Sequence, residues 1–488
     1  MSLPPGLKRP ALLQLIAYVT RPFEHFTEQQ ARFGDVFTVR LPGLGPQVVV
    51  ASPEGIKALV TGSYEAFDRE ADTIRFLIGG RALVFQQGVQ HRQLRNAMTP
   101  PFHGDRMRAY GPVMKRVTDE VLAARSPEQA APIQTEMQEI TVRVILHCVF
   151  GLSEGPRFDR LKTLLVEFVD GMLTPWAFVG SLLVTGSGVL SVLERLGKAQ
   201  RAARPDAAPP LSRWPLKQQA DRLGAIDAIL FDEIARCEAD PHEREDILAL
   251  LVRAGHAEGA SFDRQQLRDQ LIMLMIAGHE TTANSLCWTL YYLARYPKVV
   301  ASLRREHESV FPDGFDALRA RELPYLGAVI QESMRLSPIA IGVARRLKTD
   351  LTLGEHRLEA GTVVIPSSYL AQHDARIWER PEQFEPARFL GKKATTAAHF
   401  PFGAGVWRCL GAAFADYEMR VVLTQLLTHY DLELVSQKRP RGILKGVTIT
   451  PEGGLPLRLC PRAIRSERGG RDTILHLVGR PQRLGQRG

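Results

Sequence analysis

Cys409 lies in the run Pro401-Phe-Gly-Ala-Gly-Val-Trp-Arg-Cys409-Leu-Gly411, a glycine-rich turn that leads into a helical pattern. A helix start offers free N–H groups and the positive end of the backbone dipole. A thiol placed there is biased toward the thiolate. Such a thiolate is a strong axial ligand for haem iron, and glycines let the backbone approach a flat macrocycle closely. Two other readings stand beside this one. Free cysteine is among the most buried residue types, so Cys409 could be inert. It could also be a catalytic nucleophile, although no suitably placed His/Asn pair is evident.

A second constellation is Ala277-Gly278-His279-Glu280-Thr281-Thr282. An acid and a hydroxyl in mid-core are costly without a use. Thr281 can bond the carbonyl of Ala277 and bend the helix, and a bulge there would open space for O2. The alternative is a polar face turned to solvent, and the apolar run over 271–277 argues against it. His279-Glu280 begins the zinc pattern H-E-x-x-H, but Ala283 stands at its last place. His279 reads as a space-filling polar residue and Thr282 as structural. A third constellation, Glu332-Ser-Met-Arg335, places opposite charges three apart on one helix face. Alone it is a surface ion pair of little worth. There is no phosphate-binding loop, and Arg408 stands where a dinucleotide fingerprint starting at Gly403 would need its third glycine.

The elements that must position these residues are mostly helices. The periodicity predicts a helix over 262–296, capped by Ser261, stopped by Pro297 and apolar all round in its middle, so it should cross the core. Others are expected over 326–336 and directly after Cys409, with Leu410, Phe414, Tyr417 and Val421 on one face. Short strands are expected over 36–40, 47–51, 350–353 and 362–365. The segments 199–215 and 79–88 read as loops.

With 488 residues, 45% of them hydrophobic and 24% charged, the chain can build a large core without disulfides or structural metal. Its five cysteines are scattered and contain no C-x-x-C pair, which suits a reducing cytosol. The net charge is +9, and part of it sits in an Arg-rich tail from Pro461 onward with no interleaved aromatics. That tail reads as a frayed terminus rather than a nucleic-acid arm. The apolar stretch over 11–19 contains Gln14 and is too short to span a bilayer, which needs roughly 20 apolar residues. It reads as an amphipathic helix, with no membrane anchor.

The pattern Phe402-x-x-Gly405-x-x-x-Cys409-x-Gly411 resembles the haem-binding signature of the cytochrome P-450 family, and the similarity extends over about 4–459. The resemblance implies a mainly α fold: one large helical haem domain over 1–460 with a small β-sheet region, followed by a disordered tail over 461–488. It implies haem b with Cys409 as the iron ligand. Phe402, Gly405, Trp407 and Gly411 would lie around the haem, and His91, Arg95 and Arg345 on its propionates. Thr281 becomes the oxygen-site hydroxyl and Glu280 its proton-relay acid. Glu332 and Arg335 would be buried and locked to Arg388, on the cysteine side of the haem. Gln372-His373-Asp374, Trp378 and Pro381 match the region before the cysteine loop. Two positions depart from the family pattern: Trp407 stands where many members carry Arg or His, and Ala387 replaces an acid before Arg388.

The family's substrate pocket maps onto Phe76, Leu77, Met273, Ile276, Ala277, Ile341, Val343 and Val447. The set is apolar and carries no charge, so the expected substrate is lipophilic: a fatty acid, terpenoid, steroid or polyketide. The implied reaction is insertion of one oxygen atom from O2. Electrons would derive from NAD(P)H and arrive through a separate ferredoxin or flavodoxin with its reductase, docked near Arg408, Lys392 and Lys393. A cytoplasmic enzyme of the bacterial type follows. The competing readings are a haem-thiolate isomerase, lyase or peroxygenase, which would not need Glu280-Thr281, and a non-catalytic relative, which would lack the cysteine or the oxygen motif.

Overall fold

Thirty-two residues, Arg264–Arg295, form one uninterrupted helix in a computed structural model of the chain. The structure describes residues 3–71, 75–126, 129–152, 154–172, 215–242, 244–257, 262–391 and 394–462. Residues 463–488 of the expected tail, Ser261, residues 199–214 of the expected loop, and Lys392 and Lys393 lie outside them; Pro215 opens a helix, Pro215–Ala239, and Pro461 closes a strand, Pro456–Pro461, rather than beginning a tail. The long helix begins two residues later than the periodicity suggested. Its cap is Asp263, whose carboxylate accepts from the Gln266 N–H at 2.8 Å. A carboxylate at that place satisfies an orphan donor and meets the positive helix end. The helix ends before Pro297, which opens the next helix, Pro297–Val310.

Most of the long helix is buried on every face, as expected of an element apolar all round. It packs on Gln134–Phe150 and on Ala412–His429. Gly278 permits the first contact, because a Cβ there would sit 3.0 Å from Ile145 Cδ1. The helix over Pro324–Leu336 matches the predicted one with two extra residues, since Pro324 is well placed at a helix start.

The strands form small sheets beside this helical body. The largest has five strands in the order Val36–Leu41, Gly45–Val50, Val363–Pro366, Arg345–Leu347, Phe67–Arg69. The second and third strands pair in parallel; the other pairs are antiparallel. Three of the four predicted strands belong to this sheet, and the fourth, over Leu351–Leu353, to a separate two-stranded hairpin. Arg345–Leu347 and Phe67–Arg69 were not legible, because three residues are too few for alternation to show. Their pairing sets Arg69 directly opposite Arg345.

Candidate active site

Cys409 sits three residues before its helix rather than at the helix start. Leu410 and Gly411 intervene, and the helix runs Ala412–His429. The loop is closed locally: the Cys409 N–H donates to the Phe402 carbonyl at 2.8 Å, and the Gly403 N–H to the Phe400 carbonyl at 2.8 Å. Gly405 makes the turn possible, with φ +63 and a would-be Cβ only 2.6 Å from the Val60 carbonyl oxygen. The Gly411 N–H points at the sulfur, and the guanidinium groups of Arg69, Arg95 and Arg408 surround it. All four favour the thiolate, yet burial outweighs them and holds the thiol above its ordinary pKa. Cys409 is nonetheless exposed and borders open space.

Positive charge gathers beside this sulfur without any compensating acid. Arg345 is 3% exposed, and its Nη1 donates only to the carbonyls of Val343 and Ala344. Its guanidinium lies over the Trp407 ring at 4.7 Å. Burial and the neighbouring Arg69 pull its pKa down to about 9. Arg69 and Arg95 are also lowered by burial. No carboxylate among the described residues pairs with any of the three. The Nε atoms of Arg69 and Arg345 and the indole Nε1 of Trp407 are buried without a hydrogen-bond partner.

His91, 1% exposed, lies one helical turn from Arg95 on Gly88–Met98. Burial, Arg95 and Arg69 lower its pKa to about 4, so the ring is neutral at pH 7. The Tyr64 hydroxyl lies 2.6 Å from His91 Nδ1. Taking that hydroxyl as donor, the ring's own hydrogen resides on Nε2 and is free to be donated. Tyr64 also meets Trp407 edge-on at 5.3 Å.

Like charges directly opposite on paired strands are destabilising, and unpaired buried donors are costly. A cluster of three arginines, an indole N–H and a neutral imidazole beside a thiol therefore suits a ligand that brings at least two anionic groups and a metal. Haem b, with two propionates and an iron, fits this donor set. Sequence reasoning named His91, Arg95, Arg345 and Trp407 but missed Arg69 and Tyr64. Only the cross-strand register, invisible in so short a strand, places Arg69 there.

On the long helix, the Thr281 hydroxyl donates to the Ala277 carbonyl at 2.6 Å. The helix stays α-helical through this point, so the expected bulge is absent. Ala277 is nevertheless exposed and Thr281 half-buried in the middle of a core helix, so this face borders open space. Glu280 turns elsewhere. Its carboxylate accepts from Gln138 Nε2 at 2.6 Å and from Asn284 Nδ2 at 3.4 Å. Adjacent helical residues point about 100° apart, so no direct bond joins Glu280 to Thr281. Asn284 and Gln134 continue the network to Thr448 and Thr450.

Glu332 and Arg335 are fully buried and joined by two bonds, Nε to Oε2 at 2.7 Å and Nη2 to Oε1 at 2.8 Å. Arg388 Nε reaches Glu332 Oε1 at 3.3 Å. Arg335 also donates to the carbonyls of Gln372, Pro381 and Gln383 and lies over Trp378 at 5.1 Å. In place of the acid lost at Ala387, Glu385 pairs with Arg388 at 3.1 Å.

The expected substrate set is less uniform. Ile276 and Val343 are half-buried and Ala277 is exposed, whereas Met273 and Ile341 are packed into the main core and Val447 is 49% exposed in a turn. The side chains of Phe76 and Leu77 lie outside the described residues. Arg408 is exposed beside the cysteine loop.

Comparison with known proteins agrees with this geometry. A family profile described as cytochrome P-450 matches residues 3–457. A chain of Mycobacterium tuberculosis named cytochrome P-450 135B1 is 32% identical over 467 residues, covering 94% of this chain and 92% of its own length. Another from the same organism, cytochrome P-450 138, is 31% identical over 455 residues, with 93% and 95% covered. A solved structure of retinoic-acid-bound cyanobacterial CYP120A1 superposes with a TM-score of 0.78 at 22% identity, covering 95% of this chain and all of that one. No helix among the described residues is long and apolar enough to cross a membrane. The chain belongs to the cytochrome P-450 family, the haem-thiolate monooxygenases.

Proposed function

We propose that this monooxygenase hydroxylates or epoxidises a lipophilic small molecule, such as a fatty acid, terpenoid, steroid or polyketide. Cys409 is its iron ligand, and residues 1–460 form a single haem domain. Electrons come from NAD(P)H through a separate ferredoxin or flavodoxin and its reductase. The observation that carries the site assignment is the uncompensated cation cluster beside Cys409. When bound, haem supplies the oxygen-inserting chemistry.

The chain's own residues supply binding, orientation and protons. Arg69, Arg95, Arg345, the Trp407 indole and His91 Nε2 hold the two propionates. Phe402, Gly405 and Gly411 shape the loop that would carry the macrocycle, and the network of Glu332, Arg335 and Arg388 holds that loop's flank in place. Thr281 presents a hydroxyl at the open face of the long helix. Glu280 serves as the relay acid one step back; its reach to Thr281 runs through an intermediate donor or a rotation away from Gln138. Phe76, Leu77, Met273, Ile276, Ala277, Ile341, Val343 and Val447 supply apolar walls that favour a substrate without charge over the reacting carbon. The exposed Arg408 offers an acidic electron carrier a cationic landing point.

A ligand screen on the pigmented protein tests this reading. Lipophilic candidates, retinoic acid among them, should shift the main haem absorption band to shorter wavelength and yield an oxygenated product only with NAD(P)H, an electron carrier and O2. Product formed from a peroxide substrate without reductant would instead mark an isomerase, lyase or peroxygenase.

A further inference from the structure

The N-terminal helix Ala11–Thr20 is amphipathic in the wrong sense for a soluble surface. Its one polar residue in the middle, Gln14, is 1% exposed. Gln14 Nε2 donates to the carbonyls of Leu7 and Arg9 at 3.2 and 2.9 Å, and its Oε1 accepts from the Arg40 N–H at 3.1 Å. These three bonds fix the rotation of the helix. The aliphatic residues then face outward: Leu12 is 54% exposed, Leu13 53% and Ile16 50%. Leu15 alone of the middle aliphatics turns inward, against Leu41.

The residues flanking this helix are cationic. Residues 1–23 contain Lys8, Arg9 and Arg21 and no acid. Lys8 and Arg9, just before the helix, and Arg40, whose backbone the Gln14 amide holds, are exposed. None of these three has a carboxylate partner among the described residues. Arg21 is taken up by Glu28.

Exposed leucine and isoleucine bordered by unpaired Lys and Arg are the chemistry of a helix that lies in the headgroup region of a membrane. A water-facing helix would turn these residues inward, and a docking face for a basic or neutral protein would not need the cations. We propose that this face is a peripheral membrane-docking surface for bilayers rich in anionic lipid. The aliphatic residues enter the acyl boundary while Lys8, Arg9 and Arg40 meet headgroup phosphates.

Vesicle co-sedimentation of the full-length, haem-loaded protein tests it. The protein should sediment with mixed phosphatidylcholine–phosphatidylglycerol vesicles, much less with phosphatidylcholine alone, and less as salt rises. The triple variant Leu12→Ser, Leu13→Ser, Ile16→Ser should keep its haem spectrum and lose binding about tenfold. The double variant Lys8→Glu, Arg9→Glu should lose the preference for anionic lipid. Wild-type protein left in the supernatant with anionic vesicles would overturn the proposal, as would undiminished sedimentation of the serine variant. A wild-type dimer that the serine variant dissolves, without vesicle binding, would assign the face to a second copy of the chain and overturn the lipid assignment.

Discussion

Arg69 and Arg345 oppose one another across two short strands, and their repulsion is relieved only by an anion between them. Opposite effects with and without haem follow for Arg69→Gln. In haem-free protein the substitution should raise the thermal midpoint by about a degree, since about 1 kcal/mol of like-charge strain is worth that much in a chain of this size. In the haem-loaded protein it should speed haem loss to a scavenging apoprotein several-fold. A lower midpoint without haem, or unchanged haem loss, would remove Arg69 from the propionate site. Thr281 and Glu280 separate by a different readout. Thr281→Ala should leave electron consumption intact while product per electron falls and peroxide rises. Glu280→Gln keeps the size of the side chain but turns an amide donor toward Gln138 or Asn284, and it should slow turnover with an enlarged solvent isotope effect. Unchanged coupling in the first, or unchanged rate in the second, would exclude that residue.

At the scale of elements, the buried pair Glu332–Arg335 ties the helix Pro324–Leu336 to the segment that precedes the cysteine loop. Arg335 reaches three backbone carbonyls that only its planar fork can serve together. Arg335→Lys should therefore cost about 3–5 kcal/mol, because it leaves Glu332 and these carbonyls short of donors in the core. Urea unfolding of the purified variant measures this, and a loss below about 1 kcal/mol would show the network to be dispensable. The long helix, the E-x-x-R helix and the cysteine loop were legible because each carries a strong local signal: a long apolar run, a fixed charge spacing, a glycine-rich turn. What stayed hidden depended on distant pairing. Arg69 needed a three-residue strand's register, Tyr64 needed the approach of His91, and the orientation of Glu280 needed Gln138 on another helix.

The whole molecule carries several histidines that burial keeps neutral. His25 and His399 are lowered to about 4 and His373 to about 3. Each binds a proton near pH 6.5 when unfolded but not when folded, so the unfolded state holds more protons between about pH 6.5 and 4. Stability is thus fully present above pH 6.5 and declines as pH falls through that window. Urea midpoints measured from pH 7.5 to 4.5 should fall steadily below 6.5, and a flat profile would mean these rings are solvated. The colour of the entire protein reports which atom holds the iron. Dithionite-reduced protein exposed to carbon monoxide should show its strongest visible band displaced far to the red, as a sulfur-anion ligand from Cys409 requires, and Cys409→His should abolish that displacement. A wild-type band where imidazole-ligated haem absorbs, or protein that takes up no haem, would contradict it.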